Sequence, residues 1–184
     1  MSRIIFIVVC ILASLQSVGQ GVEHEVTYTY ENNHQKFTIN GDDIEWMWEP
    51  YGKLLGVSDI MAKFKNAKIK TFKDDDVSVI LVKPNETDEI LYGRLQGSRT
   101  YPYLDVVYAD VKESNVVMQN GIAIGDSKCQ IRRVLFIQQE LDDYVELVSG
   151  LDGLFIHMYF KDNKLYYYKI RTDLTLESNK ALDE

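Results

Sequence analysis

The chain has 184 residues, and 46% of them are hydrophobic, which is enough to build an ordinary buried core. Its 20 basic and 28 acidic residues give a net charge of −8. Such an acidic surface repels phosphate backbones and anionic lipid, so neither nucleic acid nor a membrane surface is an expected partner. It would suit a basic protein partner, although solubility is the commoner reason for net charge.

The N-terminus has the three parts of a secretory signal peptide. Arg3 gives a positive start, an apolar run follows as far as Leu15, and Ser17 and Gly19 supply the small residues that precede a cleavage site. The run is shorter than the roughly 20 apolar residues that cross a bilayer. We therefore expect residues 1–19 to be removed and the mature chain to be periplasmic or secreted; a buried helix is the alternative.

The two cysteines argue against a lipid anchor and against disulfides. Lipidation requires a cysteine just after a small residue at the end of the apolar stretch, whereas Cys10 follows Val9 in the middle of it. Loss of the signal leaves only Cys129, so an intrachain disulfide cannot form. We expect a mature chain without a lipid anchor, stabilised by its hydrophobic core.

Period-2 alternation predicts a hairpin at the start of the mature chain. Strands are expected over residues 22–30 and 36–40, separated by a polar turn. Asp42 and Glu45 then have the spacing of a capping box, which predicts a short helix that Pro50 ends.

The next stretch of the chain is typical of one short helix followed by hairpin strands. Ser58 and Asp59 are placed to cap the helix. Strands are predicted over residues 67–72, 77–83, 89–95 and 103–111. Lysines recur at positions 63, 65, 68, 70 and 73. On a strand, such outward lysines discourage edge-to-edge pairing, and we prefer that interpretation to polyanion binding.

The second half of the chain repeats the order of the first. A strand interrupted by Asn120-Gly121 is predicted over residues 116–124, and Ser127 and Gln130 have the spacing of a second capping box before a helix. Strands are predicted over residues 144–148, 154–160 and 165–171. Because residue identity between the halves is slight, both duplication and accidental similarity stay open.

Short helices interspersed with antiparallel hairpins predict an α+β fold, an antiparallel sheet of hairpins with short capped helices. Few connections are long enough for the crossovers of an α/β sheet. Residues 20–184 are expected to form a single mature domain. Two tandem helix-plus-sheet modules, 20–112 and 113–184, are the alternative arrangement, divided at the polar segment 112–115.

The run Ile122-Ala123-Ile124-Gly125-Asp126-Ser127-Lys128, with its helix and later hairpin, resembles a known module. It is similar to the helix-then-three-strand unit of the BamE (SmpA/OmlA) and beta-lactamase-inhibitor-protein group. The resemblance covers residues 117–171, and it departs at residues 136–139, where that group tends to have Gly-x-Pro. It implies an envelope binding module, without a particular partner or catalytic residue.

The hairpin of residues 154–171 carries large side chains on both faces. Leu154, Ile156, Met158 and Phe160 share one face of the first strand. The other face carries the candidate binding residues Phe155, His157 and Tyr159. On the return strand Tyr166, Tyr167 and Tyr168 add aromatic rings, of which Tyr167 is a further candidate. Tyrosine-rich, amphipathic surfaces are common in recognition, whereas a second layer packed on this face is the alternative.

Glu45-Trp46-Met47-Trp48-Glu49 indicates a second candidate site. Trp46 and Trp48 could form a sugar-binding surface, and two carboxylates one helical turn apart could serve glycan hydrolysis. The simpler interpretation is that Trp48 packs inward and the two glutamates are solvated.

A catalytic pair of Cys129 and His157 is a third and weaker hypothesis. Cys129 begins a predicted helix, an environment that activates thiols, and His157 could act as its base if the hairpin covers that helix. The acids at 74–76 lack the spacing of a calcium loop, and those at 140, 142, 143 and 146 are typical of a solvated face. We predict neither catalytic residues nor a metal or cofactor.

Export, acidity and the aromatic hairpin together favour one function. We predict a non-catalytic protein-binding module of the cell envelope or secretome, acting as an inhibitor, an immunity factor or an assembly factor. Its partner is expected to be another protein, possibly basic. A carbohydrate-binding or glycan-processing protein that uses Trp46 and Trp48 is the alternative.

Overall fold

A computed structural model of the protein describes residues 24–41, 50–74, 77–95, 103–112, 116–149 and 153–172. The predicted signal peptide at 1–19 lies outside the described residues. So does the predicted helix with Trp46 and Trp48, so the structure leaves both predictions as they were.

Nine strands form a single mixed sheet in the described chain. The strands are β1 (His24–Glu31), β2 (His34–Gly41), β3 (Lys68–Asp74), β4 (Val77–Lys83), β5 (Glu89–Leu95), β6 (Asp105–Val111), β7 (Tyr144–Ser149), β8 (Leu154–Lys161) and β9 (Lys164–Thr172). Two helices accompany them, α1 (Val57–Lys63) and α2 (Lys128–Val134). The order across the sheet is β1-β2-β7-β8-β9-β6-β5-β4-β3.

The predicted α+β class is wrong, because the described chain is mostly β-sheet. One of the helix-start signals was correct: Ser127 and Gln130 make the expected reciprocal capping box at α2. The predicted cap of α1 by Ser58 and Asp59 is wrong, because that helix begins after Gly56 without a side-chain cap. A cap determines where a helix begins and does not determine how far it runs. Both described helices have seven residues, and each buries essentially one large side chain, Ile60 in α1 and Ile131 in α2.

The expectation of a purely antiparallel sheet is also wrong in one place. β2 and β7 are parallel, with Gln35 opposite Val145 and Ile39 opposite Ser149. More than a hundred residues separate these two strands, so local turn chemistry could not have indicated the pairing.

The positions of most strands were predicted well from alternation and turns. The bounds of β4 and β5 match the prediction, and the other predicted hairpin strands shift by a few residues. The segment 116–124 is the exception, because it forms isolated bridges instead of a strand. Gly121 there has a φ of +87°, and the side chain of Asn120 accepts a hydrogen bond from the Ile122 amide, which closes a tight turn.

Both halves of the chain contribute to the one sheet. β2 pairs with β7, and β6 pairs with β9 across the polar segment that follows β6. The larger hydrophobic cluster likewise draws residues from both halves. The sheet is therefore continuous from β1 to β3.

The two faces of the sheet differ. We call the face against which α1 and α2 pack the helix face; its buried residues include Phe37, Leu147, Ile156, Met158 and Ile170. The opposite side, the far face, carries the alternate residues of the same strands. They include His34, Lys36, Tyr108, Asp110, Tyr144, Glu146, Phe155, His157, Tyr159, Tyr167, Lys169 and Arg171.

The start of α2 is attached to the turn between β8 and β9. The Gly125 amide donates to the Leu165 carbonyl, and the Leu165 amide donates to the Asp126 carbonyl, both at 2.8 Å. The Lys128 amide donates to the Asn163 carbonyl at 3.0 Å. These bonds hold α2 on the helix face and leave the far face of β8 and β9 to other contacts.

Candidate recognition surface on the far face

The four hairpin residues predicted as binding candidates all lie on the far face. Strand pairing puts Phe155 opposite Arg171 and Tyr159 opposite Tyr167, and His157 lies between them along β8. The alternation along β8 is regular: residues 154, 156, 158 and 160 are buried and residues 155, 157 and 159 are half-buried. The prediction of which side chains share a face is confirmed.

Three tyrosines from adjacent strands form an aromatic ladder, defined as Tyr144, Tyr159 and Tyr167. The ring centroids of Tyr144 and Tyr159 are 4.9 Å apart, and those of Tyr159 and Tyr167 are also 4.9 Å apart. His34 of β2 extends the row at 5.0 Å from Tyr144. Such offset aromatic contacts are worth about 0.5–1.5 kcal/mol beyond the area that they bury. The ladder therefore fixes the orientation of rings that remain partly exposed.

A hydrogen bond joins the ladder to His157. The Tyr144 hydroxyl lies 2.8 Å from His157 Nδ1. Burial lowers the pKa of His157 below its ordinary value, against a smaller opposing effect of Glu146, and burial raises the pKa of Tyr144 to about 12. At neutral pH the hydroxyl is therefore protonated and the imidazole neutral, and the hydroxyl donates to Nδ1.

Asp110 of β6 anchors the other end of the ladder. Its Oδ2 accepts hydrogen bonds from the Tyr167 hydroxyl at 3.1 Å and from the Tyr108 hydroxyl at 3.4 Å. The ammonium groups of Lys112 and Lys169 lie 3.3 and 3.8 Å from its carboxylate oxygens, and each also lies 5.3 Å from the centroid of the Tyr167 ring. The ring of Tyr167 is thus held between cations and a carboxylate.

Arg171 of β9 is a further cation of this face and lies opposite Tyr108. Its guanidinium carbon lies 3.9 Å from the centroid of the Tyr108 ring, which is close cation–π stacking. Within the described residues Arg171 makes no ion pair, and its Nη1 is buried without a hydrogen-bond acceptor. A guanidinium nitrogen that is buried without an acceptor costs free energy, so this part of the far face is not optimised for stability alone.

A second hydrophobic cluster lies beside Arg171 on the same face. It consists of strand residues alone, in the part of the chain that the structure describes. Its buried members are Val79, Leu81, Leu91 and Val107, with Phe72, Val77 and Tyr108 packed against them. Tyr108 therefore connects the apolar cluster with the charged and aromatic centre of the far face.

The proposed pair of Cys129 and His157 is not brought together. Cys129 is exposed on α2, which packs on the helix face, whereas His157 points to the far face and bonds to Tyr144. A sheet lies between the two side chains. The thiol-enzyme hypothesis therefore fails on geometry.

The acidic side chains after α2 are mostly paired. Arg132 contacts the Glu140 carboxylate, and Lys128 Nζ lies 2.7 Å from Asp143 Oδ1. Glu146 is separate from them, on the far face of β7, where it lies near His34 and Lys36 at 3.4 and 3.6 Å. The predicted acidic cluster is therefore divided between separate ion pairs.

Within the described ranges, no group of three or more His, Cys, Asp or Glu side chains is arranged to hold a metal ion.

Neither α1 nor α2, the helices that the structure describes, has the length and apolar character to span a bilayer.

No protein-family model, no curated protein and no solved structure matches this chain. The likeness of residues 117–171 to the BamE group thus stays a prediction. Residues 127–172 do form a short helix followed by three neighbouring antiparallel strands.

Several residues of the candidate surface on the far face were not predicted from the sequence. Tyr144 could have been found, because its strand was predicted and it alternates with buried Val145. Tyr108, Asp110 and Arg171 could not, because they meet only through the pairing of β6 with β9, some sixty residues apart in the chain. A local pattern contains no information on such a pairing.

Proposed function

We propose that this protein is an exported, non-catalytic binding module that recognises another protein through the far face of its sheet. Such a module could act as an inhibitor, an immunity factor or an assembly factor, because each of these roles requires a rigid surface of this kind. Export rests on the N-terminal sequence, with its charged start, apolar run and small-residue exit.

One observation carries the proposal: the ladder of Tyr144, Tyr159 and Tyr167 lies beside Arg171 at the centre of the nine-stranded sheet. Tyrosine and arginine are the residue types enriched at binding hot spots. Here their side chains are already ordered by ring contacts and by Asp110, so little conformational entropy is lost on binding. A preorganised, half-buried aromatic row is suited to recognition and is not needed to complete the core.

The partner is expected to meet this face with apolar or aromatic side chains and with one acceptor. The acceptor, a carboxylate or a carbonyl oxygen, would pair with the guanidinium of Arg171, which makes no ion pair within the described residues. The acidity of the whole chain would favour a basic partner, whereas the guanidinium of Arg171 would favour an oxygen acceptor. A partner that is basic overall and carries a local acceptor satisfies both conditions.

The test is affinity capture of a partner from envelope and culture-supernatant extracts with three forms of the protein. These are the unaltered chain, the double variant Tyr159→Ser/Tyr167→Ser, and the control Phe136→Ser. Phe136 is 68% exposed after α2, away from the far face, so its loss removes an aromatic side chain elsewhere. We expect one stoichiometric partner with the unaltered chain and the control, reduced at least about tenfold with the double variant.

The double variant must remain folded for this comparison, which far-UV and near-UV circular dichroism would establish. Equal recovery of the partner by all three forms would refute the far face as the binding surface. Recovery of no protein by any form would count against a protein partner and would direct the search to glycans, where Trp46 and Trp48 are the candidates.

A further inference from the structure

We infer that copies of this chain associate head to tail, with strand β1 of one copy adding to strand β3 of the next. The inference concerns the two edges of the sheet and is independent of the far-face proposal. In the described chain, β1 and β3 each have a neighbouring strand on one side only. An edge strand presents unpaired backbone N–H and C=O groups that another strand can complete.

The β3 edge is basic in a chain of net charge −8. Its surroundings carry five exposed lysines that make no ion pair within the described residues. They are Lys63, Lys65, Lys68, Lys70 and Lys73. Lysines on an edge discourage pairing with an identical edge, because like charges would meet. The same lysines favour pairing with an acidic strand. They therefore exclude a second β3 edge and select an edge that carries acidic side chains.

A groove with a mixed polar and apolar lining runs along the same edge, between α1 and β3. It has a volume of about 640 Å³ and is lined by Val57, Met61, Phe64, Asn66, Ala67, Ile69 and Thr71. Met61 is 64% exposed there. A strand that fits this edge needs acidic or polar side chains beside Lys68 and Lys70, and apolar side chains over the groove.

The β1 strand of the same chain has that pattern. On its far face it carries Glu25 and Glu31, and on its helix face it carries Tyr28 and Tyr30, which are 40% and 58% exposed. Exposed tyrosines and unpaired edge groups on one strand indicate a surface that is completed by contact. The acids of β1 and two lysines of β3, Lys68 and Lys70, therefore lie on the far face at opposite edges of the sheet.

The strand directions also fit. Of the eight neighbouring pairs in the sheet, seven are antiparallel and one is parallel, so β3 runs opposite to β1. A second copy in the same orientation beside β3 thus offers β1 antiparallel to it, with both helix faces on one side. In the register that covers all of β3 and keeps the faces matched, Glu31 lies opposite Lys68, Thr29 lies opposite Lys70 and Glu25 lies opposite Asp74. The attraction is therefore concentrated at the Lys68 and Lys70 end of β3.

This contact joins two different surfaces, so it leaves a free β1 at one end of the pair and a free β3 at the other. Heterologous contacts of this kind continue beyond the dimer, as rings or filaments, whereas a symmetric contact stops at two. Sedimentation velocity from about 1 µM to about 1 mM protein should therefore reveal species larger than a dimer.

A charge exchange between the two edges tests the contact directly. One variant is Lys68→Glu/Lys70→Glu, and the other is Thr29→Lys/Glu31→Lys. Each alone places like charges on both edges, so we expect its association to weaken at least about tenfold. Mixed in equal amounts, the two should associate again, because each then offers the edge that the other accepts.

Lys161→Glu/Lys164→Glu is the control. These exposed lysines flank the turn between β8 and β9, and the substitution changes the net charge as much as the β3 variant does. The control should associate like the unaltered chain. A chain that stays monomeric over the whole range would overturn the inference, as would variants that associate normally or a mixture that stays dissociated.

Discussion

The two faces of strand β8 differ in how deeply their side chains are buried. On the helix face Leu154, Ile156 and Met158 are 0–4% exposed and pack into the main cluster. On the far face Phe155, His157 and Tyr159 alternate with them and keep part of their surface in contact with solvent. One backbone thus carries a core and a surface within eight residues.

The difference lies in the kind of contact that each face makes. The helix face is stabilised by close packing of apolar side chains, so it tolerates changes of side-chain size or polarity poorly. The far face is held by directional contacts, among them the bond of Tyr144 to His157 and those of Asp110 to two tyrosines. Substitutions on the first face should cost stability, and substitutions on the second should mainly cost recognition.

The largest expected effect is on the helix face. Ile156→Ala removes a side chain that is 0% exposed between β7 and β9, and it should lower the free energy of unfolding by about 2–5 kcal/mol. Urea denaturation measures the change. Phe155→Ala, at the neighbouring position on the far face, should lower the free energy of unfolding by less than half as much. Equal decreases for the two variants would contradict the proposed difference between the faces.

Gly93 tests close packing on the far face near the apolar cluster. A Cβ at this position would lie 2.9 Å from a methyl group of Val107 and 3.5 Å from one of Val77. Gly93→Ala should therefore destabilise the protein by about 1–3 kcal/mol. Gly56→Ala is the matched control, because a Cβ there meets no atom within 4 Å. Similar unfolding midpoints for the two variants would contradict this packing.

Two fully buried tyrosines should respond in opposite directions to loss of the hydroxyl. Among the residues that the structure describes, the buried Tyr168 hydroxyl finds no hydrogen-bond partner, and burial raises its pKa strongly. Tyr168→Phe should stabilise the protein by about 1 kcal/mol. The Tyr92 hydroxyl donates to the Pro50 carbonyl at 3.2 Å, so Tyr92→Phe should destabilise it by about 1 kcal/mol. Chemical denaturation that ranks the two variants the other way would refute this assignment.

The smallest expected effect is a pH dependence from His157. Its pKa in the folded chain is lowered from 6.5, chiefly by burial and further by Arg171, Lys169 and His34, while Glu146 opposes the change. The unfolded chain therefore binds the proton more readily, and stability falls as pH drops from 6.5 through the folded pKa. His157→Asn should flatten the profile of melting temperature between pH 7.5 and 5.5. If the profile is unchanged in that variant, groups other than His157 cause the loss of stability at low pH.

Alternation and turn chemistry predicted the strands because both are local. The hairpin of β8 and β9 was visible from its period of two and from Lys161-Asp162-Asn163-Lys164, where Asp162 and Asn163 have positive φ. The face of each residue followed from the same alternation. For this reason Phe155, His157, Tyr159 and Tyr167 were grouped correctly.

The fold class, and the part of the candidate surface that β6 contributes, depend on contacts between residues that are far apart in the sequence. The parallel pairing of β2 with β7 and the pairing of β6 with β9 decide the order of the sheet. They also bring Arg171 and Asp110 to the ladder. A helix cap such as Ser127 is visible locally, yet it overstated the helical share of the chain, because the helix that it begins has only seven residues.

The central claim is that the far face of β8 and β9 is the surface that a partner covers. Hydroxyl-radical footprinting of the captured complex tests it most directly, by comparing side-chain oxidation in the free and bound protein. We predict that Phe155, Tyr159 and Tyr167 become protected while Phe136 is oxidised equally in both states. Unchanged oxidation of those three residues in an intact complex would contradict the claim.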